Sequence, residues 1–211
     1  MGDAYKPALC ELVLTEDEYK AIEEAMKLDK PWDIENAEIK SVKAKIRDHH
    51  LRRHGNTCCY CRTNLNGAGH FMIDREHVLP KSKYKSFTFS VWNLSVSCKR
   101  CNMQFKGECD KFVLDKQSGA DFKSSLNYQI IHPNFDEWEN YLCREAKQVN
   151  RKNMVVYTVL NDHSKGAYTH EYFGLKELEV NSFDEAQGIE RRGDATETII
   201  EARAIARDHG Q

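Results

Sequence analysis

The chain has no hydrophobic run long enough to cross a bilayer. Its longest, Met154 to Tyr157 with Val159 and Leu160 beyond, is far shorter than the roughly 20 apolar residues a spanning helix needs. The first residues, MGDAYKPALCELVL, lack the basic-then-apolar order of a secretion signal. Gly2 follows Met1, but Lys6 stands where a myristoylation signal needs Ser or Thr. These absences predict a cytoplasmic protein without a membrane partner. Internal repeats and low-complexity linkers are missing, which argues against independently folding domains. No helix-turn-helix or array of fingers is evident, so sequence selectivity toward a nucleic acid is not expected from this chain alone. An overall positive charge is missing as well: 31 Lys and Arg face 33 Asp and Glu, a net charge of −2.

The charge that is present is unevenly placed. From Lys40 to Arg62 seven basic residues face one acidic, Asp48, and from Lys81 to Lys106 six face none. The stretch from Glu11 to Glu38 carries ten acidic residues against three basic. A basic middle behind an acidic flank fits a polyanionic partner that the net charge would argue against, the plain alternative being a solvated charged face. At 211 residues, 40% hydrophobic and 30% charged, the chain can form one ample domain or a small catalytic module with helical additions.

Thr15-x-x-Glu18 is a capping-box pattern that opens a helix running to about Leu28, and Pro31 breaks the chain after it. Apolar residues at Ile34, Ala37, Val42 and Ile46, with Ile39 and Leu51 beside them, predict a second helix to about His54, ended by Gly55-Asn56. That helix carries Arg47, Arg52 and Arg53 toward the cysteines. Phe71 to Val78 reads as a strand closed by Pro80, Ser86 to Ser90 as loop or short strand, and Asn93 to Cys98 as a second short strand. A helix is expected from Cys101 to about Val113. Further on, the pattern suggests a helix over Phe135 to about Val149, strands at Met154 to Leu160 and Ala167 to Tyr172 flanking a Ser164-Lys165-Gly166 turn, and a terminal helix Ala195 to His209.

Eight cysteines include two Cys-x-x-Cys pairs, Cys58/Cys61 and Cys98/Cys101, a spacing that favours metal over disulfides. Two such turns present four thiolates, the ligand set of a closed structural zinc site. Cys59 sits at x1 spacing from Cys61 and is the one alternative to Cys58. Cys10, Cys59, Cys109 and Cys143 are otherwise expected to be buried reduced thiols. Between the pairs lie residues suited to phosphodiester hydrolysis, which needs a base, a divalent cation and groups that orient both. His77 can be the base. Glu76 and Asn102 offer hard oxygens for Mg2+ or Mn2+, with Asp74 as the substitute carboxylate. Asn93 can tie loop backbone and hold the imidazole, and Lys106 can reach a substrate phosphate. His49, His50, His54 and His70 have no metal spacing with the cysteines and read as surface or packing residues, while Asp162-His163 and His170 have no partner in sequence.

Taken together, Cys58-x2-Cys61, Glu76-His77-Val78-Leu79-Pro80, Trp92-Asn93-Leu94 and Cys98-x2-Cys101-Asn102 resemble the HNH endonuclease family in its zinc-stabilised form. The resemblance covers roughly Cys58 to Lys106, under a quarter of the chain. It implies an α+β protein: a ββα-metal core clamped by a four-cysteine zinc site at 55–115, an N-terminal helical extension at 1–54, and a mixed α/β extension at 116–211 packed on the core. The family's first His matches His77, its middle Asn matches Asn93 and its final His-or-Asn matches Asn102. The family often has Asp where this chain has Glu76. The implied activity is hydrolysis of phosphodiester bonds, in DNA more than RNA, with one strand cut per site, so that a homodimer or successive nicks would cut a duplex. The EHVLPKS block, the NLxxxCxxCN block and the following His132-Pro133 also resemble the small nuclease subunits of bacterial anti-phage systems of the Septu type, which work with an ABC-type ATPase. Rival readings are a modification-dependent restriction enzyme, a homing or mobile-element nuclease, and a non-catalytic zinc module that binds nucleic acid or protein.

Overall fold

A computed structural model describes residue 9 and residues 12–183. Cys10, the expected helix from Ala195 to His209 and the side chain of His70 lie outside the described residues. The chain divides into two compact units, with boundaries after Cys143, Val156 and Glu177.

The larger unit opens with helix α1, Glu16–Lys27, started by the expected capping box: Glu18 N donates to Thr15 Oγ1 at 3.2 Å and Thr15 N to Glu18 Oε2 at 2.7 Å. Glu18 also accepts from Lys45 at 2.7 Å and Ser41 at 2.7 Å, so the capping carboxylate ties α1 to the next helix, α2, Ala37–Arg53. Burial alone would raise its pKa, but those hydrogen bonds outweigh it and hold the carboxyl at about 2. Helix α2 buries Ile39, Val42, Ile46 and His50, whereas Ile34 and Ala37 stay outside. Val42 and Ile46 meet Leu94, with Leu14, Ile22, Trp32 and Phe89 packed around them.

Strand β1, Ile73–His77, pairs antiparallel with β2, Leu94–Cys98, in the register His77 to Leu94 and Ile73 to Cys98. β1 is shorter than expected, because Phe71 and Met72 lie in an exposed turn before it. A seven-residue helix, Arg100–Lys106, follows β2 with wide i→i+5 turns, as in the Gly107 N to Asn102 O bond of 2.6 Å. It does not run on to Val113: Gly107 turns left-handed at φ 49°, and Val113 bridges to Tyr128 instead. The fold is thus α+β, with strand, strand and helix in the expected order.

Two expectations in the last third are corrected. The segment Phe135 to Val149 is not a helix but a short turn, Trp138–Asn140, followed by strand β3, Leu142–Val149. Phe135 and Trp138 stand at helical spacing, yet each answers to a different neighbour. Phe135 stacks on His132 at 4.1 Å, and Trp138 Nε1 donates to the Tyr60 carbonyl at 3.0 Å. Conversely, the expected strand and turn at Ser164 to Tyr172 form helix α3, Ser164–Tyr172. His163 Nδ1 caps it by accepting from Lys165 N at 3.2 Å, and Lys165 Nζ reaches Asp136 at 3.0 Å. The second unit holds most of β3, part of β4 (Lys152–Val159) and β5, Val180–Asn181, in the sheet order β3-β4-β5. No helix of the described residues is long and apolar enough to cross a membrane.

Gly166 lets α3 lie against the chain near Trp138–Asn140, since a Cβ there would stand 2.6 Å from the Tyr141 carbonyl oxygen. Gly166→Ala is expected to lower stability by about 1–3 kcal/mol, read as a fall in the urea midpoint at unchanged slope. Three buried histidines set a pH limit. Burial, then the charges of His49 and Arg53, hold His50 down to about 3, and burial lowers His54 and His132 as well. Folded His50 binds fewer protons than unfolded His50, so its stability contribution is present above about 6.5 and is lost as pH falls toward 3. The urea midpoint should therefore drop between pH 7.5 and 5, and drop less in His50→Gln.

Candidate active site and metal centre

The first cysteine pair sits on a turn just after α2, closed by the Thr57–Asn64 bridge and by Cys58 N donating to Thr63 O at 2.9 Å. Arg62 takes the left-handed conformation, φ 56°, that brings the turn back on itself. Cys98 ends β2, and Cys101 lies in the wide-turn helix, its N–H 3.5 Å from the Cys98 sulfur. The ligand atoms of Cys58, Cys61, Cys98 and Cys101 all lie within 4.8 Å of one another. The Cys61 to Cys98 sulfur separation is 3.8 Å. Tetrahedral zinc with bonds of about 2.3 Å places its sulfurs roughly 3.8 Å apart, the spacing of the Cys61–Cys98 pair, so the cluster could hold one such ion. Cys59 is buried but outside the cluster, its N–H donating to Val96 O at 3.0 Å, which settles the choice in favour of Cys58. Hydrogen bonds from the Cys101, Cys58 and Cys98 thiols pull Cys61 far below the usual thiol range, whereas burial pushes Cys58 up. Four thiolates in this space need a cation between them. Of the remaining cysteines, Cys109 is half-buried and Cys143 exposed, contrary to the expectation of burial.

Strand alternation sorts the residues of β1. Glu76 is fully buried, its Oε1 2.9 Å from Lys106 Nζ and 3.1 Å from the Tyr60 hydroxyl that donates to it, and its Oε2 has no hydrogen-bond partner. Burial raises the Glu76 pKa, against the opposing pull of Lys106. Asp74, two residues earlier, accepts from Lys99 at 3.1 Å and from Asn102 Nδ2 at 3.2 Å. The carboxylate beside Asn102 is therefore that of Asp74, and the Lys106 ammonium lies on Glu76.

His77 faces the other way. Its Nε2 lies 3.0 Å from the Thr88 carbonyl, an acceptor, which assigns the proton to Nε2 and leaves Nδ1 with a free lone pair. The ring sits edge-on to Trp32 with centroids 4.5 Å apart. Burial is the main reason its pKa falls to about 4, so the imidazole is neutral at physiological pH. Asn93 is fully buried and ties loop backbone: it accepts from Leu79 N at 2.7 Å and donates to Leu79 O and Phe87 O, both at 3.2 Å. A cavity of about 200 Å³ joins His77, Asn102 and Lys106 with Trp32 and Arg75. Trp32 and Thr88 carry no signal in the sequence, since they reach His77 only through space. Arg75 could have been found, because the alternation that pairs Asp74 with Glu76 also pairs Arg75 with His77. His49, His50 and His54 are packing residues rather than ligands. His54 Nε2 is 2.8 Å from Ser95 Oγ, and the His50 ring stacks on that of His54 at 6.0 Å.

If the cluster holds zinc, Cys98→Ser should lower the zinc content measured by elemental analysis from one ion per chain and cost at least several kcal/mol of stability, because the binding energy of a structural zinc is folding energy. No family model matches the chain. It is similar to the Septu protein PtuB of Bacillus thuringiensis, with 29% identity over 166 residues, which make up 76% of this chain and 58% of that protein. The chain therefore spans little more than half the length of this curated relative.

Proposed function

We propose that this protein is a metal-dependent endonuclease that hydrolyses phosphodiester bonds, most readily in DNA, as the nuclease component of a Septu-like anti-phage system acting with an ATPase partner. The observation that carries the reading is the cavity that joins a neutral, oriented His77 to Asn102 on a strand-strand-helix unit braced by four cysteines. The similarity to PtuB supports the defence setting.

In this reading His77 Nδ1 takes the proton of a water whose oxygen attacks phosphorus, and the bond to the 3′ oxygen breaks. The Thr88 carbonyl fixes the tautomer, and Asn93 holds the loop that carries both Leu79 and Phe87. A divalent cation supplies charge stabilisation for the departing oxygen. Mg2+ is commonly held by one or two carboxylates together with substrate phosphate oxygens, so no closed protein cage is required. Asp74 and Asn102 fit as donors on one side, and the unpartnered Oε2 of Glu76 is a further acceptor.

A second reading, a non-catalytic zinc module, is favoured by one feature: Lys106 already holds one oxygen of the buried Glu76. Nicking of supercoiled plasmid separates the two. Wild type should nick with Mg2+ or Mn2+ and not without, and His77→Ala should fall by roughly a hundredfold or more at unchanged zinc content. A folded, zinc-loaded wild type that cuts nothing even with its ATPase partner would favour the binding module.

A further inference from the structure

We infer that Arg75 is the phosphate-binding residue of this site, gripping the nucleic-acid backbone next to the His77 cavity. The inference rests on the nuclease reading for its location, but it concerns binding and can be tested apart from cleavage.

Three cations line the cavity: Arg75, Lys81 and Lys106. Lys106 is paired with the buried Glu76 at 2.9 Å and is itself 3% exposed. Lys81 is paired with Asp33 at 2.8 Å. Arg75 makes no ion pair among the described residues. Its side chain is nevertheless fixed, because Nε donates to the Lys43 carbonyl of α2 at 2.9 Å. That bond uses the inner nitrogen and leaves the two terminal nitrogens, with their four N–H groups, for a ligand. Arg75 and His77 are two residues apart on one strand, so their Cα atoms are about 7 Å apart and their side chains leave the same face. That is the distance from an attacked phosphate to its neighbour along a strand. The cavity is walled on its far side by Trp32, which also borders a hollow of about 440 Å³. There is room for a nucleotide beyond the reacting phosphate.

Arg75 is half-buried against α2, and although the carboxylates of Glu35, Asp48 and Asp74 lie near enough to act on it, none pairs with it. Guanidinium groups held in this way bind phosphate oxygens through two parallel N–H bonds. The ligand class is a phosphodiester backbone, read by charge and not by sequence.

The test is binding of a short fluorescein-labelled duplex DNA, followed by anisotropy with Mg2+ present, by full-length His77→Ala and by His77→Ala/Arg75→Gln. Gln can still donate to the Lys43 carbonyl, so the fold is kept while the charge is removed; equal urea midpoints check this. Loss of one phosphate contact should weaken binding by roughly tenfold and reduce the slope of log affinity against log salt by about 0.9. Arg75→Lys should restore most of the slope. A role in structure alone would move neither the slope nor its rescue by Lys. Unchanged affinity and slope in Arg75→Gln, or no measurable binding by His77→Ala, overturns the inference. Plasmid nicking by wild type is scored separately. Cutting with an unchanged slope leaves the nuclease standing and removes Arg75, whereas a changed slope without cutting does the reverse.

Discussion

Four sulfurs within 4.8 Å of one another hold the ends of this site together. Without them β1 and β2 are two five-residue strands, too little to be stable alone in water. The cluster brings the turn after α2 against the end of β2 and the start of the wide-turn helix, so a metal ion held there would set the relative positions of the elements that carry the candidate chemistry. Side chains from elsewhere in the same unit, and Arg62 of the turn itself, then bind the backbone of that turn. Trp138 Nε1 donates to Tyr60 O at 3.0 Å, the Tyr157 hydroxyl to Cys61 O at 2.6 Å, and Arg62 to Cys59 O at 3.0 Å. The Tyr60 ring stacks on Phe173 at 4.2 Å. A turn so thoroughly hydrogen-bonded presents its two cluster thiols, those of Cys58 and Cys61, ready placed.

The same turn reaches the candidate active site through Tyr60, whose hydroxyl donates to Glu76. Glu76 and Lys106 form an ion pair with side chains 0% and 2% exposed. Such a pair gains little net stability over apolar residues, because both charges lose their water, but breaking it leaves one charge buried and unpaired. Its value here is positional. It fastens β1 to the last turn of the helix, and β1 carries His77 on the opposite side. Alternation along one five-residue strand thus sorts its side chains: Asp74 and Glu76 bind Asn102 and Lys106 of the helix, while Arg75 and His77 line the cavity that those two helix residues also border.

What could be read in the sequence was local chemistry. The capping box at Thr15 and Glu18, the end of α2 at Gly55-Asn56 and the four cysteine ligands each depend on spacing within one turn, and the structure has them all. What could not be read depends on partners distant in the chain. Glu76 and Lys106 were both recognisable as polar residues of the motif, but sequence gives residue types and not which of them face each other. The helix expected over Phe135 to Val149 failed for the same reason, since Phe135 stacks on His132 and Trp138 binds the Tyr60 carbonyl. α3 was hidden because its stabilising contacts, Lys165 to Asp136 and Thr169 to Ile131, cross between segments.

The segment after residue 115 then acquires a purpose that its sequence did not reveal. Asp136 accepts from His132 N at 2.6 Å and pairs with Lys165 at 3.0 Å, which fixes the His132-Pro133 turn. That turn presents Asn134, whose amide donates to Trp92 O at 2.9 Å and to Leu94 O at 2.8 Å. Those two carbonyls flank Asn93, and Asn93 in turn binds Leu79 and Phe87 beside Thr88, the anchor of His77. One continuous chain of hydrogen bonds therefore runs from α3 to the imidazole. Each link is buried or half-buried, where an unmade bond costs most, so the links support one another. A motif of 49 residues can be named from its cysteines and histidine. Holding that histidine at the angle it has takes residues as far along the chain as Lys165.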